Sequence, residues 1–196
     1  MIGARHGVLM DALCEKGSIK FRNYFLVVSG SLLLTLSAKF QVPFYPVPMT
    51  LQTLTVLLLG ISFGWRLGVV TVLFYLAQGA AGLPVFAGTP EKGLGLLYMM
   101  GPTGGYLFGF VLAAGLTGWL AERGLDRTAL GTAIAMVLGN VAIYVFGLLW
   151  LGSFVGYNEK VLALGLMPFI FGDLVKIALA TLTMPLVWKF LNRRLL

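Results

Sequence analysis

Long apolar runs, separated by short polar or proline- and glycine-rich breaks, dominate the pattern of the chain. The runs cover residues 24–42, 49–63, 67–83, 101–121, 129–151 and 166–191. A helix that crosses the hydrocarbon core of a bilayer needs about 20 mostly apolar residues, with a range of about 17–25. We therefore expect an all-α integral membrane protein in which residues 23–194 form a single domain of six transmembrane helices.

The breaks between the runs carry the residue types that stop helices. Pro43, Pro46 and Pro48 follow the first run, and proline lacks the N–H that helix propagation needs. The longest break, residues 84–100, is rich in glycine and is called the long loop below. This break and residues 152–160 are predicted to be non-helical.

The composition supports a membrane protein. Hydrophobic residues make up 59% of the 196 residues and charged residues 11%, whereas soluble domains have about 45–50% and about 25%. Six spans leave no room for a separate nucleotide-binding domain. The net charge of +7 is not arranged as a basic stripe with interleaved aromatic residues, so nucleic acid is not an expected partner.

The positive charges predict the orientation in the membrane. Ten of the 14 Lys and Arg residues fall on one side of the predicted spans: Arg5, Lys16, Lys20, Arg22, Arg66, Arg123, Arg127, Lys189, Arg193 and Arg194. Lys39, Lys92 and Lys160 fall on the other side. Because cytoplasmic loops carry the excess of Lys and Arg, we expect both termini, including residues 1–22, to be cytoplasmic.

The chain has few of the residue types that catalytic and metal-binding sites use. The single cysteine, Cys14, and the single histidine, His6, precede the first span. The spans therefore lack the side chains for a metal cluster or a Ser-His-Asp triad, and we expect neither a metal nor a cofactor. No GxxxxGK[ST] pattern is present to hold nucleotide phosphates. An intramembrane enzyme remains only a weak alternative.

Two charged residues are predicted to lie inside the last span. Asp173 and Lys176 are three positions apart, so they share a helix face and are close enough to pair. Each charge near the bilayer centre costs about 2.5–3.5 kcal/mol on insertion scales. An internal ion pair, a proton relay and a polar anchor in a ligand cavity all remain open. The position of Asp173, about 10 Å from the outer start of the helix, favours a cavity reached from outside.

Other polar residues are secondary candidates. Gln52 and Asn140 lie in predicted spans, where an amide side chain can either join helices or contact a ligand. Lys92, in the long loop, is either a solvated loop tip or a partner for an anion that arrives from outside. The first span also carries small residues that permit close packing, within this chain or against another: Gly30, Ser31 and Thr35.

Four motifs in order give the chain a family resemblance. They are Pro-Val-Pro-Met-Thr-Leu-Gln-Thr (46–53), Gly-Leu-Pro-Val-Phe-Ala-Gly (82–88), Gly-Pro-Thr-Gly-Gly-Tyr (101–106) and Gly-Asp-Leu-Val-Lys (172–176). The chain resembles the BioY family, the biotin-specific substrate-binding (S) components of energy-coupling factor (ECF) transporters. The resemblance extends from about Tyr24 to Arg194.

The resemblance implies an arrangement and a function. It implies six helices around a cavity open to the outside, in the plasma membrane of a bacterium, with a membrane T component and two ATPase subunits as partners. It also implies that Asp173 and Lys176 contact biotin, whose ureido group offers N–H donors and a C=O acceptor. Aromatic side chains are expected against its rings and chain: Phe86, Tyr106, Tyr144 and Trp150.

This sequence departs from the family pattern where the biotin carboxylate is expected. Some members carry Arg directly after the third motif, and this chain has Leu107. In some members the corresponding loop is shorter and carries Asn, where this chain has Thr-Pro-Glu-Lys (89–92). We therefore predict Lys92 as the partner of the carboxylate. A biotin carrier that acts alone, and an S component for another small vitamin, remain alternatives.

Overall fold

The computed structural model describes residues 8–10 and 18–194. Most of the predicted cytoplasmic segment 1–22, including His6 and Cys14, therefore lies outside the described residues. The elements found from Ile19 onward, in chain order, are α1 Ile19–Lys39, β1 Gln41–Val42, β2 Met49–Thr50, α2 Gln52–Ala80, α3 Gly95–Met99, α4 Gly104–Ala121, a 3-10 turn Leu125–Arg127, α5 Ala129–Val155, α6 Glu159–Gly165 and α7 Met167–Arg194.

Within the described residues, five helices are long and apolar enough to cross a membrane: α1, α2, α4, α5 and α7. Many of their large apolar side chains are exposed, as on helices that face lipid. The expected class, an all-α membrane protein, is confirmed.

Helix α2 reverses direction at Gly64. The φ of 79° and ψ of 170° at this residue are not helical, and only glycine adopts that backbone readily. Gln52 Nε2 lies 2.7 Å from the Tyr75 hydroxyl, although an unbroken helix would separate these residues by about 35 Å. The two arms of α2 therefore lie antiparallel, side by side, and correspond to the predicted runs 49–63 and 67–83.

Glycines bring the arms of α2 and helix α4 into close contact. A Cβ atom added to Gly60 would lie 2.2 Å from the Thr117 hydroxyl, and one added to Gly118 would lie 2.4 Å from the Trp65 backbone nitrogen. On another face of α4, a Cβ at Gly109 would lie 2.8 Å from the Cα of Ile143 in α5. Helix α4 is consequently the central element of the bundle.

Three boundaries differ from the predictions. Met49 and Thr50 were expected in a helix, but they pair with Val42 and Gln41 because the prolines between them fold the chain into a hairpin. The long loop, expected to be non-helical throughout, contains α3. The predicted loop 152–160 is shorter, since α5 continues to Val155 and the Asn158 side chain accepts from the Lys160 N–H at 2.9 Å to start α6.

The two ends of the bundle differ in construction. One end carries β1, β2, the long loop and α6, and is called the hairpin end. The opposite end carries the reversal at Gly64 and the 3-10 turn, and is called the corner end. There the Glu122 carboxylate accepts from the Trp65 backbone N–H at 3.1 Å and joins the reversal to the end of α4.

Candidate functional site

A cavity lies at the hairpin end, between α2, α4, α5 and α7 and below β2 and the long loop. Five of the residues predicted from the sequence line it: Gln52, Tyr106, Tyr144, Asp173 and Lys176. Of the residues that the structure describes, Asp173 and Lys176 are the charged ones in the lining. The cavity therefore has a mostly apolar lining with a single charged pair, a composition that is common in small-molecule sites.

The charged pair of α7 forms inside the bundle. Lys176 Nζ lies 2.9 Å from Asp173 Oδ1, and the two residues are 7% and 5% exposed. Lys176 also donates to the Thr53 hydroxyl at 2.8 Å, and that hydroxyl donates to Asp173 Oδ1 at 3.3 Å. The Tyr144 hydroxyl donates to the other carboxylate oxygen. Thr53 was not among the predicted site residues, although it closes the first motif.

These contacts define what the cluster can do. A buried ion pair loses its hydration, and the hydroxyls of Thr53 and Tyr144 replace part of what water supplied. The cluster is formed by the side chains of Asp173, Lys176, Thr53 and Tyr144. A ligand that brings its own donors and acceptor can therefore replace individual hydrogen bonds between them. The cluster therefore suits a neutral group of a ligand that carries both N–H donors and a C=O acceptor.

The wall of the cavity includes a loop that is fixed through its backbone. Side chains from three elements donate to successive carbonyls of the long loop: Tyr75 to Val85 at 3.0 Å, Lys39 to Phe86 at 3.1 Å, and Tyr98 to Ala87 at 2.8 Å. Burial raises the pKa of Tyr98, which keeps its phenol protonated as a donor. Ala87 itself lines the cavity, so these bonds hold the wall in position.

Phe86 supports this wall from behind and does not line the cavity. Its ring is fully buried, stacks on Tyr98 with centroids 4.9 Å apart, and meets Tyr75 edge-on at 5.5 Å. The ring fills the space beside Gly79, where an added Cβ would lie 2.0 Å from the Phe86 Cζ atom. The prediction that it contacts a ligand remains untested.

The predicted partner of a ligand carboxylate lies at the rim. Lys92 is exposed and does not line the cavity; its side chain covers Gly88, where an added Cβ would lie 2.7 Å from Lys92 Cδ. It is therefore close to Ala87, a lining residue. Leu107, which stands where some family members carry Arg, does line the cavity.

Two aromatic candidates and one amide have distinct positions. Tyr106 lines the cavity, meets Tyr144 edge-on at 6.3 Å and donates to the Gly165 carbonyl at 2.8 Å. Trp150 lies outside the lining and donates to the Gly101 carbonyl at 2.9 Å. Asn140 lies one turn deeper than Tyr144, and its buried Oδ1 has no hydrogen-bond partner among the described residues.

The small residues of α1 pack within the chain. A Cβ on Gly30 would lie 2.7 Å from the Thr71 methyl group in the second arm of α2. The Ser31 hydroxyl donates to Gln78 Oε1 of the same arm, and the Thr35 hydroxyl donates to the Ser31 carbonyl at 3.0 Å. Gly30 and Ser31 therefore join α1 to α2.

In the part of the chain that the structure describes, no three His, Cys, Asp or Glu residues come together in a group that could hold a metal ion.

Comparisons with known proteins agree on one family. The model of the BioY family matches residues 11–193. The chain is 38% identical over 164 residues to a probable biotin transporter BioY of Pyrococcus horikoshii, which covers 84% of this chain and 94% of that protein. It is 39% identical over 151 residues to the biotin transporter BioY of Thermotoga maritima, covering 76% and 86%.

The fold also matches a solved structure. The crystal structure of the S component for biotin from an ECF-type ABC transporter superposes with a TM-score of 0.76 at 22% identity. The match covers 89% of this chain and 95% of the other. At this identity the likeness establishes a shared fold.

Proposed function

The chain belongs to the BioY family, and we propose that it captures biotin at the hairpin end and delivers it across the membrane. One observation carries the proposal: the Asp173–Lys176 pair lies in a largely apolar cavity. Relatives named as biotin transporters support the choice of ligand. The protein is then the substrate-binding subunit of a transporter, and not an enzyme.

The polar cluster matches the ureido group of biotin. The Lys176 ammonium donates to the ureido oxygen, and the Asp173 carboxylate accepts from a ureido N–H. In the absence of ligand the two charges pair with each other, which lowers the cost of keeping them inside the bundle. The apolar lining around Tyr106 and Leu107 has the chemical character that suits the rings and the chain.

We propose that the chain crosses the plasma membrane six times, with each arm of α2 counted as one crossing. The corner end faces the cytoplasm because Arg66, Arg123, Arg127 and Lys189 lie at that end. The hairpin end then opens to the outside. A bacterial host and cytoplasmic termini remain predictions.

We propose further that uptake depends on an energy-coupling module with a membrane T component and two ATPase subunits. The similar solved structure is an S component of an ECF-type ABC transporter, which supports these partners. The alternative is a carrier that acts alone. Labelled-biotin uptake with and without the ATPase subunits separates the two, since uptake without them would favour the solitary carrier.

The binding step is tested on the purified protein. We expect calorimetry to show biotin binding, and we expect Asp173→Asn to weaken it by about 100-fold or more, because the acceptor loses its charge and the pairing with Lys176 is lost. Asp126→Asn, at the corner end, is the matched control and retains the wild-type affinity. Equal biotin affinity in wild type and Asp173→Asn would remove the basis of the proposal.

A further inference from the structure

A chain of hydrogen bonds connects the cavity to the long loop through Gln52. This residue is 4% exposed and lines the cavity. Its Nε2 lies 2.7 Å from the Tyr75 hydroxyl, which lies 3.0 Å from the Val85 carbonyl oxygen. Tyr75 is fully buried and packs edge-on against Phe86, so its ring is fixed.

The chemistry of these groups determines which way the Gln52 amide points. A carbonyl oxygen only accepts, so the single hydroxyl proton of Tyr75 is donated to Val85. The Tyr75 oxygen can then only accept from Gln52, which must present its NH₂ group. The orientation of the amide therefore follows from the chain of bonds, and the Gln52 Oε1 atom is turned away from Tyr75.

The Gln52 Oε1 atom is available as an acceptor. No described residue donates a hydrogen bond to it. It also differs from the fully buried polar atoms that lack a partner, because it is not completely enclosed. Gln78 and Asn140 differ, since Gln78 Oε1 accepts from Ser31 and Asn140 Oδ1 is buried in the bundle without a partner among the described residues. Gln52 is thus the amide whose oxygen opens into the cavity.

We propose that Gln52 Oε1 accepts a second N–H of the ligand and that Tyr75 is the positioning residue that keeps it in that orientation. The inference rests on the proposed function and deepens it. Asp173 accepts one N–H, Lys176 donates to the C=O, and Gln52 accepts the other N–H. The cavity then selects cyclic ureas in which both ring nitrogens carry hydrogen, because a missing donor leaves one acceptor unpaired.

The test compares biotin with its two mono-N-methylated ureido analogues, by calorimetry on the full-length protein. Wild type is expected to bind biotin and to bind each analogue more weakly. Gln52→Met keeps the side-chain length and removes the acceptor. It should weaken biotin binding by about 10- to 100-fold and no longer distinguish biotin from one analogue, while it still rejects the other.

Tyr75→Phe tests the positioning role. The ring and its packing remain, but the amide is released, so we expect a smaller loss of affinity than in Gln52→Met. The loss should be smaller when Tyr75→Phe is added to Gln52→Met, because no oriented acceptor remains to be lost and only the bond to the Val85 carbonyl disappears. A purely structural effect of Tyr75 would be the same in both backgrounds.

Two results would overturn the inference while leaving the proposed function standing. One is undiminished discrimination between biotin and both analogues in Gln52→Met. The other is a Tyr75→Phe loss that is fully additive with Gln52→Met, which keeps the inference testable even if Gln52→Met itself folds poorly. Failure of the wild type to bind biotin would instead overturn the proposed function, and this inference with it.

Discussion

The two ends of the bundle each bury an aspartate, and they hold it differently. Asp173 at the hairpin end contacts Lys176, Thr53 and Tyr144 and lines a cavity. Asp126 at the corner end is fully buried and accepts from the Trp188 indole N–H at 2.5 Å. Its other carboxylate oxygen has no hydrogen-bond partner among the described residues.

The two aspartates therefore have different roles. Asp173 has hydrogen bonds that a ligand can replace, whereas Asp126 holds two elements of the fold together. Each contact of Asp173 is a polar side chain that also lines the cavity, so a ligand bound there can replace individual hydrogen bonds. Asp126 instead joins the 3-10 turn to α7 through Trp188, whose ring also has the Arg127 guanidinium 4.8 Å from its centroid. Burial of an acidic residue in this protein is therefore not by itself a sign of a binding site.

The largest effect is expected from breaking the pair at the hairpin end. Lys176→Met leaves the Asp173 carboxylate buried without its cation, so stability should fall by about 3–5 kcal/mol and biotin binding should be lost. The double variant Asp173→Leu with Lys176→Met removes both charges. It should regain stability but not binding, as measured by denaturation and calorimetry. A double variant as unstable as the single one would contradict the pairing argument.

A smaller effect on binding is expected at Tyr144. Tyr144→Phe removes the hydroxyl that orients the Asp173 carboxylate and should weaken biotin binding about tenfold. Tyr106→Phe is the matched control, because that hydroxyl bonds the Gly165 carbonyl and not the cluster. Equal losses in the two variants would mean that the effect does not depend on the hydrogen bond to Asp173.

The pH dependence of stability should report on the corner end. Burial raises the pKa of Asp126 above its ordinary value of 3.8, and the Trp188 hydrogen bond and Arg127 oppose this only in part. The folded state then holds the proton more tightly, so stability falls as pH rises from about 3.8 through the folded-state pKa. The melting temperature of Asp126→Asn should vary less over this range than that of wild type. Identical profiles would exclude Asp126 as the titrating group.

The smallest effect is expected at the rim. Lys92 is exposed, so its attraction for a ligand carboxylate is screened, and Lys92→Gln should weaken biotin binding by about threefold or less. Biotin methyl ester, which lacks the carboxylate, should bind wild type and the variant alike. If Lys92→Gln weakens both ligands equally, Lys92 does not act through the carboxylate.

The helical pattern could be predicted from the sequence because long apolar runs have few alternatives in a membrane. The break at 64–66 was evident, and the structure shows a reversal at Gly64. The short elements β1, β2, α3 and α6 were not predicted. They depend on pairings such as Gln41 with Thr50 and on a single cap at Asn158, which leave no periodic pattern.

The site was predictable where spacing alone determines contact. The three-residue spacing of Asp173 and Lys176 placed them on one helix face, close enough to pair, and the structure shows the pair formed. The contribution of Thr53, from a different helix, depends on how α2 packs against α7 and left no local signal. Similarly, the position of Phe86 behind the wall depends on the space beside Gly79, which only the tertiary structure reveals.

The attachment of the long loop has a consequence for how the cavity wall can be engineered. The side chains of Tyr75, Lys39 and Tyr98 donate hydrogen bonds to main-chain carbonyls. A main-chain carbonyl is present whichever amino acid occupies the position. Substitutions at Val85 or Ala87 therefore leave these hydrogen bonds in place, and the limit on them is the packing of two buried side chains. Ala87 lines the cavity, so a protein engineer can change the cavity wall at this position while the loop stays attached.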